Sequence, residues 1–344
     1  MSLILILLLL MTKVFGAEFE ELMGKNTKHW LHLQNPAELE ALKRFKTLYD
    51  QHEHLLSEKV EGNKIPKVVH FIWLGPRSFP PESVENVRTW MAQNPDWSFK
   101  FWTDRERDPP CHGMERIVLK EYPFPFLKRC YEASENWGEK SDILRYEILF
   151  DEGGVYVDHD ANCLAPFEKL HAGFDFYGGL ETPHPPFAGL NLTMGNGVIG
   201  SRPGHPISKR VIDLIGLRWD ELAHKYPAKD GYSRTQIVIE RTYIALTDAI
   251  QETVNLAGNT DIVLPAAYFF AKKGVKPLYS QHFFANSWAK TEGISDEVIK
   301  STHTGLSKLD KKVQKLFIFG GFILFLNLLL IGFWIIWIRK GKIV

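Results

Sequence analysis

Apolar residues recur in this chain at two spacings, and the alternation between them outlines a fold. In "NPAELEALKRFKTLYDQHEHLL", Leu39, Leu42, Phe45, Leu48 and Leu55 fall at helical spacing. Asn35 can cap that helix, and Pro36 suits its first turn. "IPKVVHFIWLGP" (65–76) is instead a β-branched and aromatic run bounded by Pro66 and Gly75-Pro76, the mark of a buried strand. A helix follows over 82–93, with Val84, Val87, Trp90 and Met91 on one side, and the turn "NPDW" leads to a strand at 98–102. Residues 134–152, containing "KSDILRYEILFDE", have a helical pattern stopped by Gly153-Gly154, after which Val155-Tyr156-Val157 reads as a strand. Strand, helix, strand, helix, strand predicts an α/β sheet with parallel neighbours. No internal repeat or low-complexity tract interrupts it.

The two ends follow other rules. Residues 317–338 carry no charge, and Asn327 is their only strongly polar side chain. At about 1.5 Å per residue such a helix crosses a bilayer core of roughly 30 Å. Trp334 and Trp337 lie near one end, where interfacial aromatics are expected. "SLILILLLLM" followed by "TKVFGAEFEE" resembles a signal-peptide core with a cleavage site near Gly16 or Ala17. No basic residue precedes it, so a retained anchor stays open. The expected organisation is a signal peptide or anchor (1–17), a helical extension (18–64), a catalytic domain (65–290), a polar linker (291–316), a transmembrane helix (317–338) and a basic tail (339–344).

Lysines and arginines flank the apolar span on both sides, so the positive-inside rule does not orient it. A cleaved signal followed by a stop-transfer segment places the domain across the membrane from the cytosol. That predicts a single-pass membrane protein, lumenal in the ER or Golgi of a eukaryotic host and otherwise in the cell envelope. Asn191-Leu192-Thr193 is then a glycosylation sequon if exposed, and the final "KGKIV" resembles a dilysine retrieval signal.

Composition narrows the function. Lys plus Arg and Asp plus Glu are 41 each, so no excess charge argues for nucleic acid as a partner. With 45% apolar residues the chain can bury one large core or two small ones. Cys111, Cys130 and Cys163 allow at most one disulfide.

The candidate chemistry lies in "GGVYVDHDANC" (153–163), where two aspartates follow a strand with one residue between them. On an extended chain Asp158 and Asp160 share a face, and His159 points the other way. Such carboxylates repel unless solvated or bridged by positive charge. An EF-hand loop counted from Asp158 needs Gly at its sixth position and Glu at its twelfth, and these are Cys163 and Lys169. A solvated turn or an aspartyl phosphotransferase remains open for the bare motif. Ligands of open α/β sheets gather at the carboxyl ends of strands, however, and both aspartates lie at such an end. A Mn²⁺ or Mg²⁺ ion carrying a diphosphate fits there.

Four segments in order, "IPKVVHFIWLGP", "NPDWSFKFWTD", "SDILRYEILFDEGGVYVDHD" and "NGVIGSRPGHP", resemble glycosyltransferase family 32 and its relatives. These include yeast mannosyltransferases, inositol-phosphorylceramide mannosyltransferases and the catalytic domains of large clostridial glucosylating toxins. The resemblance spans about residues 65–290. It implies an α/β fold of the GT-A type, a nucleotide-sugar donor, a divalent metal and retention of anomeric configuration. Carried over by position, it makes Trp73 the residue that stacks on the base, and Asp142 and Arg145 the pair that contacts sugar and ribose hydroxyls. Asp158 becomes a donor contact that aids the metal, and Asp160 the direct metal ligand. Asn196 falls near the donor sugar, Trp288 covers the diphosphate, and His282 is an extra metal ligand with Asn286 as alternative. The toxins place a Glu near that last loop, and none stands before Trp288 here.

The expected function is a membrane-tethered, metal-dependent, retaining transfer of a hexose from GDP-mannose or a UDP-hexose to a glycan, glycolipid or protein hydroxyl. Asp158, Asp160 and Asn196 are its catalytic candidates. Glu181 is a possible attacking carboxylate, and a same-face reaction without enzyme nucleophile is equally open. A non-catalytic sugar-nucleotide-binding membrane protein and a metal-dependent phosphohydrolase are the alternatives.

Overall fold

The computed structural model describes residues 18–186, 188–227 and 231–285. The expected signal segment, linker, transmembrane helix and tail, together with Asn286 and Trp288, lie outside the described residues. Among the described residues no helix is long and apolar enough to cross a membrane.

The helices are α1 (Phe19–Leu22), α2 (Pro36–His52), α3 (Pro81–Gln93), α4 (Lys128–Ala133), α5 (Trp137–Asp151), α6 (Glu168–Gly173), α7 (Pro206–Lys225), α8 (Gly231–Val238) and α9 (Ile244–Thr253). The strands are β1 (Val68–Trp73), β2 (Ser98–Thr103), β3 (Glu115–Val118), β4 (Gly154–Val157), β5 (Ala161–Cys163), β6 (Phe176–Leu180), β7 (Met194–Ser201), β8 (Asp261–Leu264) and β9 (Ser280–His282). A seven-stranded sheet runs β3-β2-β1-β4-β7-β6-β8, and β5 pairs with β9 in a small second sheet. In the large sheet only β7 opposes the rest: it is antiparallel to both β4 and β6, while the other pairings are parallel. Strands β4 and β8 are buried at every residue, as expected where both faces of a sheet are covered.

The helix at 36–52 forms as its pattern predicts, with the Asn35 side chain accepting from Ala37 N at 2.9 Å. Leu42 and Phe45 pack inward, but Leu39 of the predicted stripe is 37% exposed. The segment expected as a helical extension is built into the main core. Phe19, Met23, Leu33 and Tyr49 join the same buried cluster as the sheet side chains.

Strands β3, β6, β7 and β8 were not legible from apolar periodicity. In "FYGGL" and "MGNGVIGS" glycine weakens the strand pattern, yet ring packing requires it. A Cβ on Gly195 would fall 2.5 Å from the Phe270 ring, and one on Gly200 would fall 2.1 Å from Tyr177.

A buried histidine sets the entry to β4. His70 Nδ1 accepts from Trp102 Nε1 at 3.1 Å, so its Nε2–H donates to Gly153 O at 2.8 Å. Burial pushes this imidazole down to about 4, which keeps it neutral. Gly154 has φ +97°, and a Cβ there would meet Val68 O at 2.6 Å and His70 Nε2 at 2.8 Å. The double glycine therefore ends α5 and lets β4 dock beside β1, which carries the aspartates to the sheet's carboxyl edge.

Candidate functional site

Asp158 and Asp160 do not sit on an extended strand. Residues 159–160 form a turn, with Ala161 N donating to Asp158 O at 3.1 Å. The two carboxylates nonetheless meet, because the short β5–β9 pair sets Ala161 opposite His282. His282 Nε2 lies 3.2 Å from Asp158 Oδ2 and 3.5 Å from Asp160 Oδ1. One ligand atom from each of Asp158, Asp160 and His282 fits within 4.8 Å of the others. Phe284 N donates to His282 Nδ1 at 3.0 Å, so the neutral ring turns its Nε2–H toward the aspartates. Burial lowers the His282 pKa, but Asp160 and Asp158 outweigh it, and the net shift is upward. The segment after His282 folds over Asp160. Phe283 N donates to its carbonyl at 2.8 Å and Ala285 N to its Oδ2 at 2.6 Å, while Phe284 takes φ +53°.

Arg145 approaches from the other side. Its Nη2 lies 2.5 Å from Asp142 Oδ1 and 3.5 Å from Asp158 Oδ1, and its guanidinium stacks 4.0 Å above the Tyr156 ring. Burial raises the Asp158 carboxyl, but Arg145 and His282 more than offset it and hold the group well below the usual carboxylate range. Asp142 goes the other way: burial dominates over Arg145 and Thr242, and its pKa is raised. Tyr156 is buried in the core and also donates its hydroxyl to Asp158 Oδ1 at 2.5 Å. Asn196 joins this group through its backbone, its carbonyl accepting from Arg145 Nη1 at 2.6 Å.

Between the arms lies Gly197, whose carbonyl accepts from Asp158 N at 2.8 Å. A Cβ there would lie 2.7 Å from Asp158 Oδ2 and 2.8 Å from His282 Nε2. The space beside the carboxylates and the imidazole therefore exists because position 197 lacks a side chain.

Trp73 ends β1, half-buried, with Nε1 donating to Arg77 O at 2.9 Å. Phe79 and His159 hold it edge-on at ring separations of 5.5 and 5.0 Å. His159 faces away from the aspartates, as expected, and its Nδ1 bonds Ser83 Oγ at 2.8 Å. Glu181 follows β6 on the same rim as Asn196. It accepts from Tyr243 Oη at 2.8 Å and from Lys272 Nζ at 3.1 Å. Burial raises its carboxyl, but Lys272 and His184 outweigh that and keep it below the usual range.

Several contributing residues escaped the sequence pattern. Thr242 and Tyr243 lie in a π-helical stretch, Ile239–Tyr243, a form enriched at functional sites. Thr242 donates to Asp142 Oδ2 at 2.5 Å while its neighbour Tyr243 reaches Glu181, so adjacent residues hold two separate carboxylates. Lys272 also lies 4.7 Å from the Phe284 ring, beside His282. Only the glycine-rich "MGNGVIG" gave a signal, through Asn196. The sequon is not presented for modification: Thr193 is fully buried, and Asn191 Nδ2, the atom a glycan would need, donates to His184 O at 2.8 Å.

Comparison with known proteins bears on this cleft. Residues 80–177 match the family described as "Glycosyltransferase sugar-binding region containing DXD motif". The chain is 29% identical over 187 residues to the subversion of eukaryotic traffic protein A of Legionella pneumophila, covering 50% of this chain and 27% of that protein. It is 27% identical over 148 residues to inositol phosphoceramide mannosyltransferase 3 of Schizosaccharomyces pombe, covering 43% and 36%. With the mannosyl phosphorylinositol ceramide synthase CSH1 of Saccharomyces cerevisiae it shares 30% over 154 residues, covering 44% and 35%. The chain thus spans well under half the length of these three relatives. Among solved structures, a PaToxG glycosyltransferase is similar at a TM-score of 0.43 and 20% identity, covering 61% of this chain and 76% of that one. The matched region contains Asp142, Arg145, Asp158 and Asp160, so the similarity to that family includes the residues that converge in the cleft.

Proposed function

We propose that this chain transfers a hexose from a nucleotide sugar to an acceptor hydroxyl, with retention, in the cleft between Arg145 and His282. The observation that carries this reading is the convergence of Asp158, Asp160 and His282 beside the Cβ-free Gly197. Two carboxylates and an imidazole are a donor set suited to Mn²⁺, and to Mg²⁺ through the carboxylates. The cradle at Gly197 leaves room for such an ion; to ligate it as a neutral imidazole through Nε2, His282 would carry its ring proton on Nδ1 and give up the bond it accepts from Phe284 N. When bound, the metal supplies Lewis-acid neutralisation of a departing diphosphate.

The chain's own residues do the rest. Asp142 and Arg145, locked together and capped by Thr242, present a fixed charge pair to donor hydroxyls. Arg145 keeps Asp158 ionised, so Asp158 remains a hydrogen-bond acceptor at every pH near neutrality. Trp73 offers an aromatic face at the end of β1, where a nucleobase can stack. Asn196 joins the donor side by fixing Arg145 through its backbone carbonyl. GDP-mannose and UDP-hexoses are the donor classes, and two relatives are named for mannosyl transfer to inositol phosphoceramide. We place the domain on the lumenal side of a membrane, with the apolar stretch 317–338 as its tether.

The test is a panel of nucleotide sugars with Mn²⁺, scored by donor hydrolysis without acceptor. Release of nucleoside diphosphate and free hexose from one donor, lost in Asp160→Asn, is the expected result. Release of inorganic phosphate instead identifies a phosphohydrolase and refutes the transferase.

A further inference from the structure

A buried charge pair behind the cleft holds the π-helical stretch 239–243, and nothing in the transfer chemistry uses it. Arg241 Nη1 donates to Glu139 Oε1 in the first turn of α5 at 3.3 Å, and Arg241 Nη2 donates to Trp219 O on α7. The guanidinium stacks 3.9 Å over the Trp219 ring. Glu139 is fixed by its own helix start: it accepts from Ser134 Oγ at 2.6 Å, and its N–H donates to Asn136 Oδ1 at 2.9 Å. Both charged side chains are buried. Burial raises the Glu139 pKa, and the bonds from Ser134 and Arg241 do not bring it back. Arg241 Nε is buried with no hydrogen-bond partner among the described residues. A buried pair carrying these costs adds little to stability, and its best-attested use is to fix one register against another.

The register at stake is that of Thr242. Glu139, Asp142 and Tyr146 follow one another along one face of α5. They meet Arg241, the Thr242 hydroxyl at 2.5 Å and the Thr242 carbonyl at 3.2 Å. Thr242 has one hydroxyl hydrogen and two acceptors in reach, Asp142 Oδ2 and Val238 O, the latter at 2.8 Å. The bond to Val238 is the one a helical threonine makes to the carbonyl four residues back, whatever lies beside it. The bond to Asp142 needs the turn to face α5, and the same facing lets Tyr243 reach Glu181.

We infer that Glu139 and Arg241 are positioning residues: their ion pair holds the π-helical register in which Thr242 bonds Asp142, and so fixes the Asp142–Arg145 pair that meets the donor. The inference rests on the transferase reading above and extends its machinery past the motif, since Arg241 and Thr242 lie outside the matched residues 80–177.

The experiment uses the full chain with Mn²⁺, and GDP-mannose and UDP-glucose as probes. In the double variant Glu139→Leu with Arg241→Met an apolar pair replaces the charges, and Ser134 keeps Asn136 O as an acceptor. Such replacements are often neutral or stabilising, so the thermal midpoint should hold. A hydrogen bond to a charged group is worth roughly 10- to 100-fold in an equilibrium, and the donor KM should rise by about that much while Mn²⁺ affinity stays unchanged. Thr242→Val alone should raise KM similarly, and added to the double variant it should raise it no further. Hydrogen exchange at 239–243 should quicken in the double variant, a readout that needs no activity. A wild-type KM, unchanged exchange, or additive effects of Thr242→Val and the double substitution overturns the inference. Should the double variant not fold, Arg241→Lys carries the same test, because a lysine keeps the charge but cannot hold Glu139 and Trp219 O together. Asp160→Asn separates the two readings: hydrolysis persisting in it removes the transferase, and exchange at 239–243 still decides the role of Arg241.

Discussion

Adding one methyl group to β7 should have opposite consequences at two positions two residues apart. In Gly197→Ala the new Cβ falls 2.7 Å from Asp158 Oδ2 and 2.8 Å from His282 Nε2, inside contact distance for both. The obstructing atoms are the ends of side chains that border a cleft, so they can rotate away at little cost to the fold. What is lost is their convergence. Overpacking costs about 1–3 kcal/mol where it must be absorbed. Taken from the cation-binding arrangement, that is roughly a 5- to 150-fold loss of Mn²⁺ affinity. In Gly195→Ala the Cβ meets two ring carbons of Phe270 at 2.5 Å. Phe270 is 1% exposed and has nowhere to move. The same 1–3 kcal/mol is then taken from global stability, a fall of roughly 3–10 °C in thermal midpoint. Calorimetric Mn²⁺ titration and a thermal scan in chelator measure the two quantities for each variant. Wild-type Mn²⁺ affinity in Gly197→Ala would refute a cation site between Asp158 and His282. A larger loss of midpoint in Gly197→Ala than in Gly195→Ala would show that the cleft is ordinary packed core.

Three further outcomes are expected. Trp73→Ala should raise the donor KM by the worth of one base stack, about 1–3 kcal/mol, and leave Mn²⁺ affinity alone; an unchanged KM makes Trp73 a packing residue only. Asp160→Asn should weaken Mn²⁺ binding as well as turnover, whereas Asp158→Asn should fall harder on donor use; identical profiles in titration and kinetics would dissolve the division of roles. The metal-free chain should also have a two-sided pH profile. The raised pKa of His282 gives stability that is complete below about 6.5 and lost as pH rises through its folded value, and the depressed pKa of Asp158 gives stability present above about 3.9 and lost as pH falls. Thermal midpoints in chelator across pH 3–9 should therefore peak on the mildly acidic side, and His282→Asn should flatten the alkaline fall; a profile unchanged by that substitution removes His282 from the account.

How much of this could be read in advance depended on where each contact's partner lay along the chain. Local signals worked: the Asn35 cap, the strand at 68–73 and the helix stopped by Gly153-Gly154 all involve near neighbours. Asp142 and Arg145 were legible because their i,i+3 spacing on one helix already brings them together. The glycine-rich strands β6 and β7 were hidden because their composition answers to rings elsewhere, Phe270 and Tyr177, and not to strand propensity. Glu181 gave no pattern of its own, since its partners Tyr243 and Lys272 lie 62 and 91 residues away.

The aspartate pair shows why a correct local expectation can hold for a different reason. Alternation along an extended strand would bring Asp158 and Asp160 to one face, but residues 159–160 form a turn. Their convergence comes from long-range structure: Gly197 O fixes Asp158 N, the strap at 283–285 fixes Asp160, and β9 inserts His282 between them. Repulsion between the carboxylates is met from two sides in the metal-free chain, by Arg145 at Asp158 and by His282 at both. One helix turn steadies both flanks, because the π-helical register lets Thr242 hold Asp142 and Tyr243 hold Glu181. A regular α-helical register across 239–243 would rotate these adjacent side chains away from at least one of the two carboxylates. The site therefore depends on one irregular turn, whose Thr242 lies 100 residues beyond Asp142, as well as on the motif itself.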